Sequence, residues 1–261
     1  MVTGSSRGVG RACALALARE GAKVVVAAKS VEENPRLPGT IYSVAEEIRQ
    51  AGGEALPLQV DVRKEAMLEK MVETTLETFG RIDILVNNAG AAWWYPVEET
   101  PARRFDLVMD VNFRAAHVAT QLCIPHFRAQ GYGHVVNMSP PVDNPKLVAG
   151  KCAYMVSKFG MTYLGIALAE ELAGENIAVN ALWPVTLIES YATINLGLGQ
   201  KENWRKADIL ADALLELVAR EPKELGSGQA FLDEEVLREA GVTDFSHYAC
   251  VPGAEPMKIP W

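Results

Sequence analysis

Short, unbroken aliphatic runs alternate along this chain with longer stretches in which apolar positions recur every three or four residues. Runs of the first kind suit strands covered on both faces, and stretches of the second kind suit helices with one buried stripe. Residues 23–28, 55–60, 82–86, 134–138, 177–182 and 229–232 read as strands, and 1–3 as the end of another. Residues 11–20 read as a helix stopped by Gly21, and Val44 with Ile48 marks a second that ends near Gly52 and Gly53. Leu68, Met71, Val72, Leu76 and Phe79 trace a third, stopped by Gly80, with Asp61 placed to cap its start. Further helical stretches cover 101–130, 153–173 and 207–220, while the prolines and glycine of 34–40 mark a loop.

Strand alternating with helix from end to end demands crossover connections. The result is a parallel sheet with helices on both faces and ligands at the carboxyl ends of the strands. The expected fold is therefore α/β, a Rossmann-type doubly wound parallel sheet of about seven strands in three α/β/α layers. One domain is expected over 1–261, with a cofactor half up to about residue 135 and a catalytic and substrate half after it. Only three residues precede Gly4 where a buried strand wants about five, so the chain is expected to be short by a few residues at its start.

Composition narrows the function. The 261 residues are 49% apolar and 22% charged, enough to pack one sizeable core. A net charge of −8 with no basic stripe argues against nucleic acid. Cys13, Cys123, Cys152 and Cys250 form no C-x-x-C pair and read as reduced small hydrophobes, so a cytoplasmic protein is expected. No apolar run is long enough to cross a bilayer, no leader opens the chain, and no metal site is expected.

Candidate chemistry lies in five places. Gly4, Gly8 and Gly10 stand between a strand and a helix, where glycines let the backbone approach a pyrophosphate at a helix N-terminus; alone they could mark any tight turn. The second strand ends Ala27-Ala28-Lys29 with no carboxylate, so Lys29 and Arg7 can converge on the 2′-phosphate of NADP, a reading that competes with two plain surface charges. Tyr154 and Lys158 are four apart in a helix and share a face, so the ammonium is expected to stabilise phenolate and make the tyrosine a usable acid and base. Such a pair alone is more often an ordinary helix surface, and context decides. Ser139, at the end of the fifth strand, and Asn112, within the long helical stretch, supply that context, although each also suits a local structural role.

T-G-S-S-R-G-V-G (3–10), N-N-A-G (87–90), Asn112, Ser139 and Y-M-V-S-K (154–158) together resemble the short-chain dehydrogenase/reductase family, in order and approximate spacing, over essentially the whole chain. A-A-K after the second strand, S-P-P (139–141), A-L-W-P (181–184) and G-Q-A-F-L-D-E-E (228–235) are similar to its hydroxysteroid dehydrogenase-like branch. The resemblance implies Tyr154 as catalytic acid/base, Ser139 orienting the carbonyl oxygen, Lys158 lowering the tyrosine pKa and holding the nicotinamide ribose, and Asn112 anchoring a relay water. It further implies a pyrophosphate cradle of Gly4, Ser5, Ser6, Arg7, Gly8, Val9 and Gly10, with Lys29 on the 2′-phosphate and Asp61 and Val62 at the adenine. Asn88, Ala89 and Gly90 would line the adenosine side, and Pro184, Thr186 and Ile188 would meet the nicotinamide amide. NADP(H) is expected over NAD(H).

Two departures from the family pattern stand out. The segment between Ser139 and Tyr154 is long and holds Pro140, Pro141 and Pro145, and Val185 replaces the glycine usual after that proline. The ending Ile259-Pro260-Trp261 is no peroxisomal address. Trp93, Trp94, Tyr95 and Pro140 are candidates for the substrate rim, and with the apolar segment 187–198 they point to a fatty, terpenoid or steroid-like compound, unless the aromatics simply pack on a neighbour. A rival in the same fold is a 3-oxoacyl-carrier-protein reductase, with Arg103, Arg104 and Arg114 as a basic patch. A rival of another class is a non-catalytic NADP(H)-binding regulator, which would normally have lost the tyrosine or the lysine. A homodimer or homotetramer packed through the small residues of 153–173 is expected.

Overall fold

The computed structural model describes residues 1–142 and 145–259. Along the chain run β1 (Val2–Thr3), α1 (Gly8–Arg19), β2 (Val24–Ala28), α2 (Ile41–Gln50), β3 (Ala55–Gln59), α3 (Glu65–Phe79) and β4 (Ile84–Asn87). They are followed by α4 (Ala102–Met109), α5 (Ala115–Gln130), β5 (Gly133–Met138), α6 (Cys152–Glu171) and β6 (Ile177–Trp183). Among the described residues, β1 to β6 and a late strand, Ala230–Leu232, form one seven-stranded parallel sheet. Its order is β3-β2-β1-β4-β5-β6 and then the late strand. Val2 pairs with Val26 on one side and Val86 on the other, so the chain reverses its winding between β1 and β4. A crevice at the carboxyl ends of the strands is the geometric consequence.

The apolar pattern explains the layers. All five residues of β2 are buried, and they divide by parity: Val24, Val26 and Ala28 enter a core with Cys13, Ala14, Ile41, Val44 and Ile48, while Val25 and Ala27 enter another with Leu68, Met71, Cys123, Phe127 and Leu168. One face of the sheet is thus roofed by α1 and α2, the other by α3, α5 and α6. α6 is the one described helix long and apolar enough to cross a membrane, and it packs on β5, β6 and α4 with Met161, Gly165 and Leu168 turned inward.

Several elements depart from the sequence reading. α1 begins at Gly8, three residues early, because Arg7 is extended (φ −165°, ψ 175°) and ends the glycine turn. The region expected to be helical over 101–130 holds two α-helices, α4 and α5, with a π-helical turn, Asp110–Arg114, between them. α3 starts at Glu65 with Lys64 at its cap and no side-chain capping bond; Asp61 does not cap it, because Arg63 takes its carboxylate. After β6 come β7 (Leu187–Ile188), α7 (Tyr191–Asn195) and β8 (Trp204–Arg205), the two strands forming a small parallel sheet of their own. α8 (Asp208–Val218), α9 (Pro222–Leu225), β9 (Ala230–Leu232) and α10 (Asp233–Glu239) complete the described order of helices and strands.

Candidate active site

The glycine turn is built around a close backbone approach. Gly4 and Gly8 have φ of +67° and +56°, which side-chain-bearing residues rarely adopt. A Cβ at Gly10 would run into Asn88 Nδ2 and Gly4 O, whereas one at Gly8 would meet nothing within 4 Å. Asn88 explains the crowding: its Nδ2 donates to Thr3 O (2.9 Å) and Gly4 O (3.2 Å), clamping the turn to the end of β4. Thr3 Oγ1 also accepts from the amides of Asn88 and Ala89. Ser5 and Ser6 are buried in the turn, and Ser5 Oγ donates to Val2 O. Val9 packs against the core on the α1 side of the sheet.

Arg7 reaches across to the end of β2. Its Nη2 donates to Ser30 Oγ (2.9 Å) and Gly39 O (2.8 Å), and its Nε donates to Pro38 O. The guanidinium is thereby held beside Lys29, which is exposed. Asp61 follows β3 with Arg63 on both carboxylate oxygens, and that pairing holds its carboxyl down at about 2. Val62 beside it is buried.

Tyr154, Lys158 and Thr162 lie at four-residue steps on one face of α6. Lys158 is 4% exposed, and its Nζ donates to Met138 O at 2.8 Å. No hydrogen bond joins it to the Tyr154 phenol among the described residues. Burial dominates both groups, raising the Tyr154 pKa and lowering that of Lys158 to about 7. Ser139, the residue after Met138, is fully buried and meets Thr162 Oγ1 at 2.9 Å. Thr162 has one proton and a second acceptor, Pro140 O, at 2.7 Å. Whichever bond that proton makes, the Ser139 hydroxyl keeps hydrogen-bonding capacity for a further partner.

Asn112 sits in the π-helical turn, a break that recurs at functional sites. Its Oδ1 accepts from Ala91 N (2.7 Å), and its Nδ2 donates to Ala91 O and Ser157 Oγ. Ser157 Oγ in turn donates to Tyr154 O. A Cβ placed on Gly90 would lie 3.7 Å from Asn112 Oδ1 and 3.8 Å from Lys158 Nζ. Gly90 is therefore the floor on which Asn112 and Lys158 meet. Ser157 and Thr162 went unnoticed in the sequence, although the four-residue step from Lys158 would have flagged Thr162.

Trp94 lies beside Tyr154, with ring centroids 5.8 Å apart, and Trp93 stacks on Tyr95 at 4.4 Å. Pro140 is buried and holds Thr162 through its carbonyl. The Pro145 side chain and residues 260–261 lie outside the described residues. Of the three arginines 103, 104 and 114, Arg114 pairs with Glu65 at 2.9 Å.

Past β6, Trp183 places its ring 5.6 Å from Lys158 Nζ, and Pro184 follows it. Val185 is held from both sides, its N–H by Asp233 Oδ1 (2.9 Å) and its carbonyl by Ile259 N (2.7 Å). Among the described residues none other than glycine has a positive φ, so valine carries no backbone strain where the family has glycine. Thr186 is fully buried, its Oγ1 has no hydrogen-bond partner among the described residues, and its backbone bridges to Lys258. Ile188 packs in the core, and its carbonyl accepts from Thr193 Oγ1. Asp233 was not foreseen; nothing in its spacing marks it.

The sequence profile described as short chain dehydrogenase matches residues 1–194 of this chain. The chain belongs to the short-chain dehydrogenase family. Within that family it is 46% identical over 254 residues to hydroxysteroid dehydrogenase-like protein 2 of Bos taurus, covering 97% of this chain and 60% of the relative. The human protein of the same name is 45% identical over the same length. The chain thus spans about three-fifths of these curated relatives. Among solved structures, a dehydrogenase described as putative from Xanthomonas campestris superposes with a TM-score of 0.94 at 41% identity, covering 98% of this chain and 94% of that one. A metagenomic short-chain oxidoreductase in complex with NADP gives 0.71 at 31% identity, over 85% and 90%. An oxidoreductase of this family acts on small molecules with NAD(P), and the fold and motif order place the present chain within it.

Proposed function

We propose that this chain is an NADP(H)-dependent oxidoreductase that interconverts a carbonyl and an alcohol on an apolar substrate. The observation that carries the reading is the meeting of Lys158 Nζ and Asn112 Oδ1 at Gly90, with Tyr154 one helical turn before Lys158 and Ser139 next to the carbonyl that Lys158 binds. NADP(H) would supply or accept the hydride. Tyr154 gives its phenolic proton to the carbonyl oxygen in reduction and takes it back in oxidation. Ser139 holds that oxygen, Lys158 holds the ribose side, and Asn112 fixes the floor between them. The glycine turn fits a pyrophosphate: open space over Gly8 lies at the N-terminus of a twelve-residue helix.

NADP is favoured over NAD because Arg7 is tethered beside Lys29 at the end of β2 without a carboxylate partner among the described residues. A relative solved with NADP supports the same preference. The greasy substrate rests on Trp94 flanking Tyr154 and on relatives named hydroxysteroid dehydrogenase-like. A carrier-protein reductase is disfavoured because Arg114 is spent on Glu65. The same reading includes one domain, a cytoplasmic location and a homo-oligomer, the last supported by exposed Val156, Tyr163 and Ile166 on α6.

Turnover of a ketone panel with NADPH and NADH tests this directly. Tyr154→Phe should lower kcat by about 10²- to 10⁴-fold while leaving the thermal melt unchanged. Full activity in that variant would end the proposal.

A further inference from the structure

Beside Tyr154 the chain carries indole N–H donors that have no hydrogen-bond partner among the described residues. Arg104 of α4 lies over the Trp93 ring, its guanidinium carbon 4.6 Å from the centroid, and Lys151 lies over Trp94 with Nζ at 4.6 Å. A ring face satisfies part of a cation's field but none of its N–H groups. Both indole Nε1 atoms are buried and lack an acceptor among the described residues. Among the described residues neither Arg104 nor Lys151 has a carboxylate within ion-pair distance, so each is free to meet an anion. In a chain of net charge −8, acids are not scarce.

Lys151 is also placed against local preference. It occupies the N-cap of the twenty-residue α6, makes no capping bond, and has no acidic residue in the first turn to offset it. The positive end of a helix disfavours a cation there. Buried donors without acceptors are rare in native proteins; here two indole N–H groups lack one among the described residues, with the half-buried Lys151 over one ring and the exposed Arg104 over the other. The wall is continuous with the reacting centre, since Trp94 separates Lys151 from Tyr154.

We infer that the substrate is amphipathic: an apolar body whose far end bears an anionic oxygen group, a carboxylate or a phosphate, received by Arg104, Lys151 and the Trp93 and Trp94 indoles. The inference rests on the assignment of Tyr154 as the group that reacts. Trp94 would lie along the apolar body, holding the anionic end away from the carbonyl that Tyr154 protonates. A neutral compound without such an oxygen would leave the two indole N–H groups without acceptors.

The test compares a medium-chain oxo carboxylic acid, its methyl ester and a phosphate-bearing thioester of the same acid, with NADPH. The acid or the thioester should exceed the ester in kcat/KM by about tenfold or more, mainly through KM, and whichever is preferred identifies the anion. Arg104→Gln and Lys151→Met should each remove most of that preference and leave the ester unchanged; both side chains lie outside the core, so melts should hold. In parallel, indole fluorescence is titrated with decanoate and with methyl decanoate, which needs no turnover. Equal use of all three compounds, or equal binding of the two titrants, overturns the inference while leaving carbonyl reduction standing. Selective binding of decanoate with no turnover of any carbonyl upholds the anion site and removes the reaction instead.

Discussion

Lys158 Nζ donates to the Met138 carbonyl at 2.8 Å, so the lysine of the Y-x-x-x-K pair is tied to the end of β5, next to Ser139. Its burial leaves it with a pKa near 7, against 10.5 when solvated. The unfolded chain therefore binds more protons than the folded one between these values, and stability should rise with pH from about 7 to 10.5, the penalty being complete below 7. Melts of the protein and of Lys158→Met from pH 6 to 10 should diverge most at the acid end, with the variant the more stable. Superimposable profiles would mean the ammonium is not desolvated.

Asn112 joins three partners from a position 1% exposed. Asn112→Ala leaves the Ala91 N–H and carbonyl without their side-chain partner and should cost about 2 kcal/mol or more in chemical denaturation. Turnover should fall as well, because the π-helical turn loses its anchor.

The glycine turn predicts two unequal alanines. Gly10→Ala drives a methyl into Asn88 and the Gly4 carbonyl, and should abolish NADPH binding in a fluorescence titration. Gly8→Ala meets open space and carries only the strain of its positive φ, about 1 kcal/mol, with a modest loss of affinity.

Cofactor choice should move with one side chain. Lys29→Ala is expected to raise KM for NADPH by about tenfold and leave KM for NADH unchanged, as removal of one charge-assisted phosphate contact requires. A parallel rise for both cofactors would assign Lys29 to the surface.

The sheet was legible because β2, β5 and β6 are buried on both faces, β2 as a plain aliphatic run and β5 and β6 as largely apolar ones that also bury His134, Asn137 and Asn180. The elements after β6 were not. β7 and β8 have two residues each, too short for any period to show, and they exist because the surrounding segments pack on them. The break at Asp110–Arg114 was hidden for a different reason: its residues suit a helix, and the deviation is imposed by distant partners, Ala91 and Ser157 for Asn112 and Gly160 against Phe113. Asp61 shows the limit of local signals, since a cap-forming residue was taken by an arginine two positions on. Spacing did put Tyr154 and Lys158 on one face of α6; it could not tell that both would be buried, which raises the pKa of one and lowers that of the other.

Glu234 offers a last test. It is 5% exposed at its side chain and accepts from Arg205 (2.8 Å), Arg238 (2.7 Å) and Lys258 (2.6 Å). Desolvation opposes its charge, yet the three donors outweigh it and hold the carboxyl at about 2. Its stabilisation is present above pH 4.5 and fades as pH falls toward 2. Glu234→Gln should therefore lower the melting temperature at pH 7, cost about 3 kcal/mol or more, and flatten the acid limb of the stability curve.

Because both polar groups of the Val185 peptide are already engaged, by Asp233 from α10 and by Ile259 from the tail, the strip beyond β6 is a riveted plate. Accommodating guests of different girth then falls to the short α7 that follows it, and tail residues remote in sequence become co-owners of the cleft's shape.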